Sequence, residues 1–138
     1  MKLRTQKQEK TITVTHNGET ATFTISYLTP KNRQDLVKQA TVPSWDRNQR
    51  FEEVDFYLFK ILKIDKAIIG WGDEICDEEG NKLPCTKENK EIVYAYNTEL
   101  IDKVLEEVDQ YGLLSARLQE DSEKNLRTGS SGKIETKE

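Results

Sequence analysis

The 138-residue sequence contains few of the side chains that carry out chemistry, with one histidine, His16, and two cysteines, Cys76 and Cys85. A structural zinc site needs four nitrogen or sulfur ligands, usually paired at short spacing, and these cysteines are nine positions apart. The sequence also lacks a phosphate-binding glycine-rich loop, an H-E-x-x-H motif and a nucleophile elbow. We therefore predict no metal site, no cofactor and no enzymatic activity.

Long apolar runs are missing as well. None approaches the roughly 20 residues that a membrane-spanning helix needs, and the first residues, MKLRTQKQEK, are polar where a secretory signal is apolar. We expect a cytoplasmic chain with no membrane partner. Apolar residues make up 35% of the chain and charged residues 33%, which suits one domain with a modest core. The predicted organisation is a flexible N-terminus over 1–9, a single α+β domain over 10–126 and a disordered tail over 127–138.

Charge is distributed unevenly along the chain. Residues 1–72 carry 12 Lys and Arg against 8 Asp and Glu, whereas residues 73–109 carry 4 against 12. No extended basic face with interleaved aromatic residues is present, so nucleic acid is not a predicted partner. The acidic block has two interpretations that the sequence leaves open, a solvated helix face or a docking surface for a basic partner.

The strongest local signal is a pair of alternating apolar and polar runs on either side of Asn17-Gly18. This dipeptide tolerates the positive φ angles of a type I′ turn, so a β-hairpin is predicted with His16 facing Glu19. The other predicted cross-strand pairs are Val14–Ala21, Ile12–Phe23, Thr13–Thr22 and Thr11–Thr24. Because an isolated hairpin is marginal in water, its apolar face must pack on helices.

The next segment predicts a helix followed by a loop. Thr29 is a candidate N-cap and Pro30 suits the first helical position, which indicates a helix over 30–40. Residues 41–50 are predicted to be a loop, since Pro43 disfavours helix in the residue before it and small polar residues follow.

Residues 51–64 are the most apolar stretch and are predicted to form a central helix. A helix that is apolar nearly all round is either buried on several sides or keeps one face for a partner. A short strand or an irregular buried segment is expected over 67–71. Thr86 is then a candidate cap for a short helix over 87–96.

The stretch GWGDEICDEEGNKLPCTKEN, residues 70–89, concentrates acidic and thiol groups. Aligning Gly80 with the sixth position of an EF-hand loop puts Ile75 at the first position, where it cannot bind calcium. A disulfide between Cys76 and Cys85 requires antiparallel flanks, but cytosolic thiols are normally reduced, so free cysteines are expected. We predict a polar turn here and no reactive site.

The last predicted element is an amphipathic helix that starts near Asn97. Apolar residues from Leu100 to Leu118 keep a spacing of three and four, which indicates a helix of roughly 20 to 28 residues with a weak point at Gly112. The predicted fold is thus α+β, an N-terminal hairpin packed against three to four helices with a long C-terminal helix. A long apolar stripe also favours weak homo-oligomerisation.

One part of the sequence resembles a known family. The run IIGWGDEICDEEGNKLPCTKENKEIV is similar to a pattern in small tail proteins of long-tailed bacteriophages and prophages, in which an apolar segment, an acidic turn and a helix start follow one another. The matching positions are Gly70-Trp71, Asp77 to Gly80, Leu83-Pro84, Thr86 and Glu88-Asn89. With the upstream strands leading into YLTPKNRQDLV, the resemblance covers about residues 10–110. Within that group the chain most resembles the tail assembly chaperones.

This resemblance implies a factor without catalytic activity that acts in the host cell cytoplasm during viral morphogenesis. It implies binding to the tape-measure protein, with the major tail protein as a second candidate partner. Two other functions stay open. One is a structural virion component, such as a tail-terminator or connector subunit, and the other is a small regulatory adaptor unrelated to phages.

A chaperone for a helical protein needs an apolar groove, which the central and C-terminal helices can supply. The alternative is that the same side chains belong to the core. The candidate partner-binding residues are Phe56, Phe59, Tyr111, Leu114 and Leu118. The acidic block is expected to face basic residues of the partner.

Overall fold

The computed structural model describes residues 1–111. Within this range it contains five strands in two antiparallel sheets and four helices, which confirms the predicted α+β class. The elements are β1 (Glu9–His16), β2 (Glu19–Ser26), α1 (Pro30–Ala40), β3 (Thr41–Asp46), β4 (Gln49–Val54), α2 (Phe56–Ala67), β5 (Ile68–Trp71), α3 (Lys87–Tyr96) and a helix over 98–111 that we call α4.

The N-terminal hairpin has the predicted register. All five predicted pairs are present, from Thr11 opposite Thr24 to His16 opposite Glu19. Asn17 and Gly18 have φ angles of 52° and 80°, as a type I′ turn requires. Turn chemistry and period-two alternation therefore fixed this element locally.

The hairpin is extended by β5, giving a three-stranded sheet in the order β1-β2-β5. Of the two alternatives for residues 67–71, the strand is confirmed, and Trp71 pairs with Phe23. Their rings pack edge to face, with the ring centroids 6.3 Å apart. The apolar side of this sheet packs against the helices. The most deeply buried large side chains are Phe23, Ile25, Leu28, Ile64, Ile68, Ile101, Val104 and Val108.

The predicted loop over 41–50 and the predicted start of the central helix at residue 51 are wrong. Residues 41–54 form a second hairpin, β3–β4, which turns at Arg47 and Asn48 with φ angles of 52° and 68°. In this register Pro43 lies at a position whose N–H would point away from β4, so its missing donor costs no ladder hydrogen bond. The central helix begins only at Phe56.

Capping side chains set the helix starts. Thr29 and Asn32 form a reciprocal capping box at α1, and Thr86 accepts from the backbone N–H of Asn89 at α3, so both predicted caps are confirmed. Asp55 accepts from the N–H of Leu58 at 3.0 Å and explains why α2 starts after β4. This cap was not predicted.

Helix α4 begins at residue 98, next to the predicted cap Asn97, and it is described as far as residue 111. Its buried residues, Ile101, Val104, Leu105 and Val108, belong to the same core as the hairpin. The predicted weak point at Gly112, the C-terminal part of the predicted helix and the tail over 127–138 lie outside the described residues.

Candidate functional site

Residues 71–83 form a small closed loop held by hydrogen bonds to backbone carbonyls. The indole Nε1–H of Trp71 donates to the carbonyl of Leu83 at 2.6 Å, and the N–H of Leu83 donates to the carbonyl of Ile75 at 3.1 Å. Cys76 and Lys82 form an isolated antiparallel bridge. The loop is therefore closed by the chain itself, with Trp71 at its base.

At the tip of this loop, the carboxylate of Asp77 stabilises a turn. Asp77 Oδ1 accepts from the backbone N–H groups of Glu79 and Asn81, both at 2.9 Å. These bonds, above all the one from Asn81, lower the pKa of the Asp77 carboxyl. Gly80 has a φ of 86°, a left-handed conformation that suits the polar turn predicted here.

Glu74 also accepts hydrogen bonds, in its case from a strand of the sheet. Its Oε1 accepts from the backbone N–H of Thr22 at 3.0 Å and from Thr22 Oγ1 at 2.9 Å. The backbone bond, followed by the side-chain bond, lowers the pKa of the Glu74 carboxyl. Glu74 thus occupies the hydrogen-bonding position that another strand would take next to Thr22.

The two cysteines are free. Cys76 is exposed and its thiol donates to the carbonyl of Asp73 at 3.2 Å. Burial raises the pKa of the half-buried Cys85, which favours the thiol over the nucleophilic thiolate. Among residues 1–111 no group of three or more His, Cys, Asp or Glu side chains is arranged to hold a metal ion.

The candidate partner-binding residues have different surroundings. Phe56, in the first turn of α2, is 80% exposed, whereas Phe59 packs against the core with part of its surface accessible. Tyr111 is half-buried against the sheet. The centroid of its ring lies 5.8 Å from that of Tyr27 and 5.6 Å from Lys10 Nζ. Leu114 and Leu118 lie outside the described residues.

A groove of about 520 Å³ between α2 and α4 brings Phe56 and Phe59 together. Leu105 of α4 completes the apolar part of its lining. Five charged residues flank it: Lys60, Lys63, Asp102, Glu106 and Asp109. Tyr111 does not line this groove, so the five predicted residues do not form one site within the part of the chain that is described.

Ion pairs connect the two sides of this groove. Lys60 Nζ is 3.2 Å from Asp102 Oδ1, and Lys63 Nζ is 2.8 Å from Asp109 Oδ1. Burial alone would lower the pKa of Lys60, but its hydrogen bond to Asp102 and the nearby negative charge outweigh burial and raise it. Lys60 therefore stays charged and helps to hold α2 beside α4.

Comparison with known protein families, with curated proteins and with solved structures finds no match to this chain. None of the helices described over residues 1–111 has the length and apolar character needed to cross a bilayer.

Sequence reasoning missed that aromatic residues on the β3–β4 hairpin and just after it are exposed. Trp45 is 67% exposed and Phe51 44% exposed, and Tyr57, in the first turn of α2, is 64% exposed. Val42 and Trp45, residue types common in strands, were the available signal, but Pro43 and the polar residues around them masked it.

A second groove, of about 910 Å³, is lined by residues 4–8, the end of β2 and parts of α1 and α2. Most of its lining residues are polar, and they include Asn32, Asp35 and Asp65. None of the described candidate residues contributes to it. The groove between α2 and α4 is therefore the better candidate for binding an apolar helix.

Proposed function

We propose that this chain is a tail assembly chaperone of a long-tailed bacteriophage, which binds a helical segment of the tape-measure protein in the host cytoplasm. The observation that carries the proposal is Phe56, a large apolar side chain that is 80% exposed at a groove floored by Phe59 and Leu105. The resemblance of residues 10–110 to phage tail proteins supports the choice of partner.

The energetics favour an apolar occupant. Removing a Phe side chain from water stabilises by roughly 1.5–3 kcal/mol, and a folded chain gains nothing from leaving it in solvent. A tape-measure protein is long and helical, with apolar stripes that would self-associate before assembly. A helix with anchors spaced by three and four residues would cover Phe56 and Phe59 together.

Charge supports a basic partner surface next to that stripe. Asp102 and Asp109 are already paired with lysines of α2, whereas the exposed Glu106 lines the same groove without a lysine or arginine near enough to form an ion pair in the described structure. Acidic residues at the edge of an interface favour the approach of a basic partner and set its orientation. We expect Lys or Arg beside the apolar stripe of the bound helix.

The test is co-expression with the tape-measure protein encoded in the same phage genome. Phe56→Asp should lower co-purification by about tenfold or more, the change expected for the loss of roughly 1.4 kcal/mol of binding energy. Its circular dichroism melt should match that of the wild type because the side chain is exposed. Tyr57→Asp is the matched control, since Tyr57 is also exposed in the first turn of α2 but does not line the groove.

If Phe56→Asp binds as well as Tyr57→Asp, the groove is not the binding surface. Two further observations test the assignment to a chaperone. A tape-measure gene should lie downstream of the gene for this chain, and mass spectrometry of purified virions should not detect the chain. Its presence as a stoichiometric part of the particle would instead favour a tail-terminator or connector subunit.

A further inference from the structure

Strand β1 is an outer strand of the three-stranded sheet, and its turn decides which backbone groups face outward. In a two-residue hairpin the flanking residues, here His16 and Glu19, form a hydrogen-bonded pair. Alternation along β1 then directs the N–H and C=O groups of Thr11, Thr13 and Thr15 away from β2.

Two observed hydrogen bonds agree with this assignment. The N–H of Tyr27 donates to the carbonyl of Gln8 at 2.9 Å, which continues the inward-facing set of even-numbered residues. Lys103 Nζ, from α4, donates to the carbonyl of Thr15 at 3.0 Å, so that carbonyl faces outward.

The outward backbone groups of Thr11 and Thr13 have no hydrogen-bond partner within residues 1–111. Both residues are exposed, and β1 is eight residues long. A long strand with unpaired backbone groups is a template for pairing with another strand.

The opposite edge of the same sheet is short. Strand β5 has only four residues, and the Glu74 carboxylate takes the backbone N–H of Thr22 just beyond it. The sheet therefore offers one long free edge. A single self-complementary edge forms a closed pair of chains and cannot propagate into a growing sheet.

We propose that β1 pairs antiparallel with β1 of a second copy of this chain, about a two-fold axis at Thr13. Thr13 then faces Thr13 of the second copy, Thr11 faces Thr15, and Ile12 faces Val14. The three outward threonines pair only among themselves in this register, and the apolar residues of both copies stay on the same face. The product is one six-stranded sheet with the helices of both copies on one side.

The position of α4 is compatible with this arrangement. Helix α4 runs antiparallel to β1, since Lys103 contacts Thr15 and Tyr111 lies beside Lys10. The two-fold axis reverses the second helix, so the Lys103 side chains of the two copies lie on opposite sides of the axis and do not face each other. Because a carbonyl oxygen has two lone pairs, Lys103 can keep its bond to Thr15 when the strands pair.

Sedimentation analysis of the full chain tests the pairing directly. The wild type should reach twice its 16.0 kDa mass as its concentration rises. Thr13→Pro removes an outward N–H that β2 does not use, which an edge strand tolerates, and it should leave a monomer with the wild-type circular dichroism spectrum. Should that variant fail to fold, Thr13→Lys replaces it, since it sets two like charges opposite each other at the axis.

Cross-linking provides a second readout. Hydrogen-bonded antiparallel pairs have Cα atoms about 5.5 Å apart, within the range that a disulfide spans. Thr13→Cys should form a disulfide with its copy under mild oxidation, identified by peptide mass spectrometry, which also separates it from products of Cys76 and Cys85. Thr20→Cys is the matched control because Thr20 is exposed on β2, away from the free edge.

A wild type that stays monomeric at every concentration overturns the proposal. So does a Thr13→Pro dimer, or cross-linking of Thr13→Cys that is no faster than that of Thr20→Cys. These results are independent of the chaperone proposal, since the experiments use the isolated chain and leave Phe56 unchanged.

Discussion

Gly72 lies at the junction between the sheet and the loop that follows it, and its lack of a side chain is what allows the junction to close. A methyl group built at Gly72 would collide with Glu74 Oε1 and Thr22 Oγ1, the two atoms that form the hydrogen bond there. The N–H of Gly72 also donates to the carbonyl of Thr22 at 2.9 Å. The close approach of three groups therefore requires glycine.

Gly72→Ala should lower the free energy of unfolding by about 1–3 kcal/mol, because overpacking forces the hydrogen bonds of Glu74 apart. Gly70→Ala is the control. Its added methyl group would lie 3.7 Å from Thr24 Cβ, an ordinary contact, so we expect a change below about 1 kcal/mol. Urea denaturation of the two variants measures the difference, and equal midpoints would contradict this account of Gly72.

At the scale of elements, the β3–β4 hairpin buries little of its surface. Every residue from Gln49 to Glu53 is exposed, and the hairpin forms a two-stranded sheet of its own. Its turn also places Arg47 at a φ of 52°, a conformation that costs an ordinary L-residue roughly 1–2 kcal/mol. We expect this hairpin to open more often than β1–β2.

Replacing the turn with Asn-Gly, through Arg47→Asn and Asn48→Gly, should relieve that cost. Hydrogen exchange at the paired amides of Ser44 and Phe51 should slow by roughly twofold to fivefold, the equivalent of about 0.4–1 kcal/mol. The amides of Val14 and Phe23 serve as internal controls and should be unaffected. Faster exchange at Ser44 in the double variant would show that the turn is not strained.

At the scale of the whole molecule, one carboxylate joins three helices that are distant in sequence. Asp109 of α4 accepts from Lys63 of α2 at 2.8 Å and from Arg33 of α1 at 3.4 Å. The Lys63 side chain is only 13% exposed, so few water molecules could replace its partner. The network therefore fixes α4 against the rest of the fold, which also positions the groove beside Phe59.

Asp109→Asn should lower the free energy of unfolding by about 1 kcal/mol, since it removes the charge that balances Lys63 and Arg33. Glu106→Gln, one turn earlier in α4, should change it by less than about 0.5 kcal/mol because Glu106 is exposed. Thermal melts at neutral pH compare the two variants. Equal losses would mean that the effect arises from general charge on α4 and not from this network.

Local chemistry explains which elements could be predicted. The β1–β2 register followed from Asn17-Gly18 and from alternation, and α1 and α3 followed from the caps Thr29 and Thr86. The second hairpin was missed because a proline and a turn of Arg and Asn replace the usual signals. The aromatic residues from 51 onward then gave a helical pattern where the chain is still in β4.

The residues of the groove, too, could be predicted only in part from the sequence. The apolar character of Phe56 and Phe59 was visible in the sequence, and both line the groove. Tyr111 has the same character, yet it packs on Tyr27 because α4 runs along the sheet. Whether Phe59 or Tyr111 is exposed depends on elements that lie more than forty positions away in the sequence. Local periodicity does not show which of these distant elements packs against a given side chain.

The sequence by itself determined elements whose hydrogen bonds close within a few residues: the type I′ turn, the helix starts capped by Thr29 and Thr86, and the polar turn held by Asp77. The tertiary structure alone decided that Glu74 accepts from Thr22 next to the short β5 while the edge of β1 stays open, and that α2 and α4 meet around Phe59. The physical reason is the sequence separation over which each interaction acts. Turn and cap energies depend on neighbouring residues, whereas an open edge or a groove depends on which distant surfaces the packed core brings together.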